Sequence, residues 1–190
     1  MLKGASYNPN AGNYIVSGRS YSAMGLSSAA GSLPTADIIY AVPFLFPSPV
    51  SGVTQIIGRV GTIGVTSSIK FGMALVNGTT ATMVTDLNPT GVATTSLNDV
   101  ICTVSPFTIK ANTYYVLCAI GTGATMAILT ASNSTTAQGW AQGFASTTFA
   151  STNNTGFTNN TSTYAAGFPA SFTLTQTSAS TVPFLGFVAP

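Results

Sequence analysis

Residues 107–120 read FTIKANTYYVLCAI, and this stretch decides the fold class. Phe107 and Ile109 alternate with polar neighbours, which is the period of a half-buried β-strand. Residues 114–120 are almost wholly apolar and rich in strand-forming side chains, which predicts a second strand covered on most sides. Glycines follow at once and no helix cap is visible, so a helix is disfavoured. The stretch predicts two strands joined by a turn at 110–113, forming a hairpin in the middle of a sheet.

Short strands separated by turn signals extend this pattern along the chain. Further strands are predicted at 37–46, 53–60, 69–76, 81–87, 100–104, 124–130, 171–177 and 182–188. Pro43 cannot donate a ladder hydrogen bond and predicts a bulge or a sheet edge, whereas Asn77-Gly78 predicts a two-residue hairpin turn. No stretch has the period of an amphipathic helix. The pattern predicts an all-β fold, an antiparallel β-sandwich, with the jelly roll as the preferred architecture.

The length of 190 residues fits one domain, assigned to residues 18–190, after an extended N-terminal arm over residues 1–17. The arm is rich in Gly, Asn, Ser and Tyr without periodicity, and we expect it to order against a neighbouring molecule. Tyr7 and Tyr14 are its candidate attachment contacts. Residues 131–163 carry no charge and form a long polar stretch with a weak strand at 138–144, a kind of loop that is often functional.

The unusual feature of the composition is its lack of charge. Five Lys or Arg and three Asp make up 4% of the chain, with no Glu and no His, where ordinary soluble domains carry about 25% charged residues. Thirty Thr, twenty-one Ser and twelve Asn supply the polarity instead. Such a surface has little charge repulsion to keep copies apart. We therefore expect an oligomer or a component of a larger particle.

Three classes of partner or location are disfavoured by the same composition. The cations are few and scattered, whereas nucleic-acid binding needs several phosphate contacts from one basic face. The apolar run at 38–57 contains three prolines, so we expect buried strands there rather than membrane insertion. The N-terminus lacks the apolar core of a secretory signal. Cys102 and Cys118 are therefore interpreted as buried free thiols, with a disulfide as the alternative.

The residue types present exclude most catalytic arrangements. Without His, neither a Ser-His-Asp triad nor a Cys-His pair can form, and zinc would lack ligands. Asp37, Asp86 and Asp99 are interpreted as turn caps, and a hydrolase would require two of them to meet in one cleft. Lys70 and Lys110 are expected to face solvent rather than act as activated amines. We expect no enzymatic activity, cofactor or metal, with a calcium site of carbonyls, Asn and one Asp left open.

Four aromatic residues in and beside the long polar stretch are the candidate contact residues: Trp140, Phe144, Phe157 and Tyr164. Rings among neutral polar residues suit stacking on sugars, which suggests recognition of host surface glycans. The favoured alternative is that these rings anchor the loop onto the sandwich or lie in a subunit contact.

Six segments spread over residues 18–188 share their order and spacing with a known family. They are Gly18-Arg19-Ser20-Tyr21, Ile39-Tyr40-Ala41-Val42-Pro43-Phe44, the strand IKFGMAL at 69–75, the stretch 107–119, Gly167-Phe168-Pro169-Ala170 and Val182-Pro183-Phe184-Leu185. In these segments the chain resembles the β-sandwich (jelly-roll) module of tailed-bacteriophage virion proteins, among them head decoration, head-fibre, tail-tip and tail-fibre proteins. It departs at Lys110-Ala111-Asn112-Thr113, where relatives often have Gly, and at Gly186, where they often have Arg.

The resemblance implies a non-enzymatic virion structural protein and supplies no catalytic residues. Because the chain ends with the domain and has no shaft, we expect a capsid decoration or short head-fibre protein, assembled as a homotrimer on the particle surface. The virion would be built in the bacterial host cytoplasm, with the major capsid protein or tail proteins as further partners. The alternative is a tail-associated receptor-binding module that uses residues 131–163 to recognise host surface glycans during host attachment.

Overall fold

The computed structural model describes residues 17–22, 28–29, 35–62, 67–93, 99–122, 127–128, 130–132, 156–177, 181–183 and 185–190. Every regular element in these ranges is a β-strand, and every strand pairing is antiparallel. The expectation of an all-β antiparallel fold is confirmed. No helix in this part of the chain is long and apolar enough to cross a membrane.

The strands form three sheets. The five-stranded sheet contains β1 (Ser20–Ser22), β4 (Val50–Thr62), β8 (Asp99–Ile109), β10 (Ala127–Ile128) and β16 (Leu185–Val188). The eight-stranded sheet contains β3 (Ile39–Leu45), β5 (Ser68–Asn77), β6 (Thr80–Met83), β7 (Val92–Ala93), β9 (Tyr114–Gly121), β12 (Gly156–Asn159), β13 (Ser171–Thr173) and β14 (Thr175–Thr177). A small three-stranded sheet contains β2 (Ser28–Ala29), β11 (Thr130–Ser132) and β15 (Thr181–Pro183).

The two larger sheets enclose one apolar core between them. Phe44 of β3 meets Phe187 of β16 edge to face, with ring centroids 5.7 Å apart, a favoured aromatic geometry. Both sheets contribute fully buried side chains to the same cluster, including Ile56 from β4 and Phe71 from β5. Two antiparallel sheets packed through one core make a sandwich-like architecture. The jelly-roll assignment, which concerns how the strands are connected, stays a prediction.

The predicted hairpin at 107–120 is wrong in its pairing, although both of its strands exist. β8 pairs with β4 in the five-stranded sheet, whereas β9 pairs with β3 and β5 in the eight-stranded sheet. The turn at 110–113 therefore carries the chain from one sheet to the other, and the Asn112 N–H donates to the carbonyl of Phe46. This arch forms because Ile109 before the turn and Tyr115 after it both face the shared core.

The prediction of a central, covered strand at 114–120 is confirmed by β9. It lies between β5 and β3, and the seven residues 115–121 are all buried. One face contributes to the core between the sheets, and the opposite face contributes Val116, Cys118 and Ile120 to a second cluster. Phe168 and Phe172 belong to that second cluster. The centre of the eight-stranded sheet, at β9, is thus buried on both of its faces.

Several local predictions have definite outcomes. The hairpin expected at Asn77-Gly78 is present, with Asn77 paired to Thr80 across the β5–β6 turn. Pro43 pairs with Val116 of β9, while β12 pairs with β3 only at residues 39–41. The position opposite Pro43 on the β12 side falls on residues outside the described part of the chain, so the sheet edge at Pro43 stays a prediction.

The predicted ends of the strands agree less well with the structure than the predicted existence of the strands does. The strand expected at 81–87 ends at Met83, and the chain then runs through residues 84–91 without regular structure. The long stretch 131–163 contains part of β11 at one end and β12 at the other. The weak strand predicted at 138–144 and the arm residues 1–16 lie outside the described residues.

Candidate functional site

The predicted contact residues are only partly described by the structure. Trp140, Phe144, Tyr7 and Tyr14 lie outside the described residues. Phe157 lies on β12, paired with Ala41 on one side and Gln176 on the other. Phe157 and Tyr164 are both half-buried and pack against the second cluster. These two rings therefore anchor their segment on the outer face of the eight-stranded sheet, as in the alternative that the sequence favoured.

Lys70 is the most unusual side chain on that face. It is the third residue of β5 and is only 6% exposed, so the expectation that it faces solvent is wrong. Its amine donates to Oδ1 of Asn88 at 2.5 Å and to the main-chain carbonyl of Tyr164 at 2.7 Å. The same nitrogen lies 4.2 Å from the centroid of the Tyr164 ring, a cation–π contact. Lys110, in contrast, is exposed as predicted.

The burial of Lys70 changes its protonation equilibrium. In the described part of the chain no carboxylate forms an ion pair with it, and its hydrogen-bond acceptors are neutral. Removal from water disfavours the charged form of an amine, and burial lowers the pKa of Lys70 below its ordinary value. The amine therefore reaches its uncharged, nucleophilic form at a lower pH than an exposed lysine does.

Two irregular segments cover Lys70 and meet each other above it. The segment 84–91 supplies Asn88, and the segment 160–170 supplies Tyr164. Gly167 has a φ of 81°, and a side chain there would collide with the Leu87 carbonyl. The Phe168 N–H donates to the same Leu87 carbonyl. Because only glycine tolerates both the left-handed backbone and the close approach, this residue fixes the contact between the two segments.

Asp37 supports the same cluster from the start of β3. Its carboxylate accepts a 2.7 Å hydrogen bond from the Tyr164 N–H, and its own N–H donates to the Gly121 carbonyl. Tyr164 is thus held through its N–H by Asp37 and through its carbonyl by Lys70. This hydrogen bond joins residues 127 positions apart, whereas a turn-capping carboxylate bonds the backbone of its own turn. The interpretation of Asp37 as a turn cap is therefore wrong.

Asp86 and Asp99 lie elsewhere and have separate partners. Asp86 accepts hydrogen bonds from both the N–H and the hydroxyl of Ser105, at 2.6 and 2.5 Å, which lower the pKa of its carboxyl. Asp99 forms an exposed ion pair with Arg59 at 3.0 Å. Asp99 and Ser105 are six residues apart on β8, or about 20 Å at the rise of an extended strand. Asp86 and Asp99 therefore cannot flank one scissile bond.

An open cleft of about 690 Å³ lies between the segment 84–91 and the edge of β8. Leu87 and Ile101 give it apolar walls and are 44% and 42% exposed. Thr103 and Ser105 add hydroxyl groups, and Asp86 lies at its end nearest Ser105. Among the described residues, no group of three or more Asp, Cys, Glu or His could hold a metal ion.

The two cysteines are free and buried, so the interpretation as free thiols is confirmed. Cys102 belongs to the core between the sheets, whereas Cys118 belongs to the cluster on the opposite face of the eight-stranded sheet. Burial raises the pKa of Cys102 to about 11 and that of Cys118 well above its ordinary value. Both thiols are therefore uncharged at neutral pH.

The alternation of residues in β5 does not predict the burial of Lys70, because alternation alone places this lysine on an outer face of the sheet. A signal was present in the neighbouring residues on that face, since Gly72 and Ala74 are small. A side chain at Gly72 would lie 2.6 Å from Met83 Cε and 3.1 Å from the Phe168 ring. Small residues beside a lysine leave room for a covering segment.

Comparison with known proteins found no matching family model, no matching curated protein and no matching solved structure.

Proposed function

We propose that the protein is a non-enzymatic structural component of a bacteriophage virion, a capsid decoration or short head-fibre protein that assembles as a trimer on the particle surface. The observation that carries the proposal is the composition of the chain, with 4% charged residues and 45% apolar residues. A protein with so little charge has weak protection against association. The resemblance of its segments to phage β-sandwich modules supports the same assignment.

The outer face of the five-stranded sheet is suited to contact with other protein. Gln55, Ile57 and Arg59 of β4 lie opposite Thr103, Ile101 and Asp99 of β8 on that face. Arg59 and Asp99 are the charged residues among these six, and they neutralise each other in an ion pair. Neutral side chains around a partly exposed isoleucine are easily desolvated, which favours burial against a neighbour.

Sedimentation equilibrium of the full chain tests the oligomeric part of this proposal, and we expect the mass of a trimer at micromolar concentration. A monomer that persists as the concentration is raised would contradict it. Mass spectrometry of purified virions tests the location, and we expect the chain among the particle proteins beside the major capsid protein or tail proteins. Its absence from particles would refute a virion role.

The alternative, a tail-associated module that binds host surface glycans, is less well supported. Of its four aromatic candidates, Phe157 and Tyr164 pack against the second cluster, and Trp140 and Phe144 lie outside the described residues. The alternative therefore rests on Trp140 and Phe144. Binding on a glycan array that is abolished by Trp140→Ala would favour it over the structural role.

A further inference from the structure

The amine of Lys70 and the carboxamide of Asn88 are held in contact at a site that excludes most water around the lysine. Nζ lies 2.5 Å from Oδ1 of Asn88. Since a carbonyl bond is about 1.23 Å long, Cγ of Asn88 lies within about 3.7 Å of Nζ. Reacting atoms in a near-attack arrangement are about 3–3.5 Å apart. The structure thus places a nucleophile beside an electrophilic carbon with no intervening group.

We propose that Lys70 and Asn88 join spontaneously in an intramolecular amide, an isopeptide bond between β5 and the segment 84–91. The uncharged Nζ attacks Cγ of Asn88 to give a tetrahedral adduct. The Nζ–Cγ bond forms, the Cγ–Nδ2 bond breaks, and one proton passes from Nζ to Nδ2. Ammonia leaves, and a neutral secondary amide remains. The reaction needs no oxidant, reductant or other co-reactant.

The surroundings of the pair suit each part of this reaction. Lys70 is buried without a carboxylate partner, so its amine loses its proton at a lower pH than the amine of an exposed lysine does. The carbonyl and ring of Tyr164 hold Nζ from two further directions, which limits its freedom and raises the effective concentration of the amine. Asn88 is itself exposed, so water can carry the proton between the nitrogens and ammonia can leave.

The isopeptide bond would remove the main energetic cost of this site, which is the burial of a charged amine. A buried ammonium with only neutral acceptors is unfavourable, whereas a secondary amide is uncharged. The bond would close a covalent loop over residues 70–88, between a central strand and an irregular segment. A cross-link of this kind restricts the unfolded chain, as a disulfide does. The inference concerns the folded chain itself and stands independently of the virion role.

Intact-mass spectrometry of the folded, full-length protein after denaturation tests the proposal. We expect a mass lower than that of the sequence by one molecule of ammonia. Trypsin cuts after Arg59, Lys70 and Lys110 in this region, but not after a lysine whose amine is acylated. The expected digest therefore contains residues 60–110 as one fragment that lacks one ammonia.

Matched variants distinguish the formation of this bond from other reactions that release ammonia. Lys70→Arg and Asn88→Ala should each restore the full mass, and Asn88→Asp should lose one water instead. Lys110→Arg should keep the loss. Asn77→Ala should keep it too, which excludes a succinimide at Asn77-Gly78. Circular dichroism verifies that each variant is folded.

The wild-type protein alone can overturn the proposal, whatever happens to the variants. If the folded chain keeps its full sequence mass after prolonged incubation at alkaline pH, where Lys70 is uncharged, the two residues do not react. A loss of ammonia that persists in Lys70→Arg, or complete tryptic cleavage after Lys70, would equally refute the bond.

Discussion

The nitrogen of Lys70 lies 4.2 Å from the centroid of the Tyr164 ring, and the main-chain carbonyl of the same tyrosine accepts a 2.7 Å hydrogen bond from it. Asp37 holds Tyr164 from the other side through its N–H. One residue therefore connects the buried amine of Lys70, the residue Asp37 just before β3 and the segment 160–170. The arrangement gives the outer cluster of the eight-stranded sheet a polar centre.

The first prediction concerns the ring of Tyr164. In an Asn88→Ala background, which keeps Lys70 a free amine, Tyr164→Leu should lower the free energy of unfolding by about 1–3 kcal/mol through lost cation–π contact and packing. Tyr164→Phe is the control and should retain most of the stability, because the ring stays. Urea denaturation measures both. Equal losses in the two variants would show that the hydroxyl, rather than the ring, matters.

The second prediction concerns the pH dependence contributed by Asp86. Hydrogen bonds from Ser105 lower the pKa of Asp86 in the folded state, so its contribution to stability is complete above the unfolded value of about 3.9. The contribution is lost as the pH falls through the lower folded pKa. Urea midpoints between about pH 5 and pH 2 should therefore fall more steeply for the wild type than for Asp86→Asn. Parallel curves would mean that Ser105 gives Asp86 no stabilisation.

The third prediction concerns the thiols. Because the pKa of Cys102 is about 11, only about one thiol in ten thousand is ionised at pH 7. Cys118 is completely buried and its pKa is raised further. Both should resist iodoacetamide in the folded protein and react fully in guanidinium chloride. A thiol labelled at the same rate in both conditions would contradict the burial of that residue.

The fourth prediction concerns the packing of the two large sheets. A Cβ at Gly58 would lie 2.5 Å from Phe71 Cζ and 2.9 Å from Leu185 Cδ2. Gly58→Ala should lower the free energy of unfolding by about 1–3 kcal/mol, since overpacking a filled core forces neighbours to move. In a double-mutant cycle, Phe71→Leu should relieve part of this cost. Additive losses would indicate that the collision is with another group.

The strands were predictable from the sequence because each has alternating or continuous apolar residues over a short length. Phe107 and Ile109 alternate correctly, and the residues of β9 are buried as their composition indicates. The pairing of β8 and β9 was not predictable from the same signal. Two alternating strands and a four-residue turn fit a hairpin and an arch equally well, because alternation specifies which face is buried and not which strand lies alongside.

The site was less predictable than the strands. The ring of Tyr164 makes it a candidate from the sequence, and the structure packs that ring against the second cluster. The contact between Lys70 and Asn88 depends on a segment that folds back over β5, with Asn88 18 positions after the lysine in the chain. Tyr164 is 94 positions after it. Contacts at such separations arise from the path of the chain over the sheet, which local composition does not encode.

Because β9 is covered on both faces at the centre of the eight-stranded sheet, its side chains cannot touch another molecule while the chain stays folded. Ile101, which is exposed, and its cross-strand partner Ile57 lie on the other large sheet. If the chain assembles as proposed, contact through that sheet would give each copy one orientation relative to its neighbours.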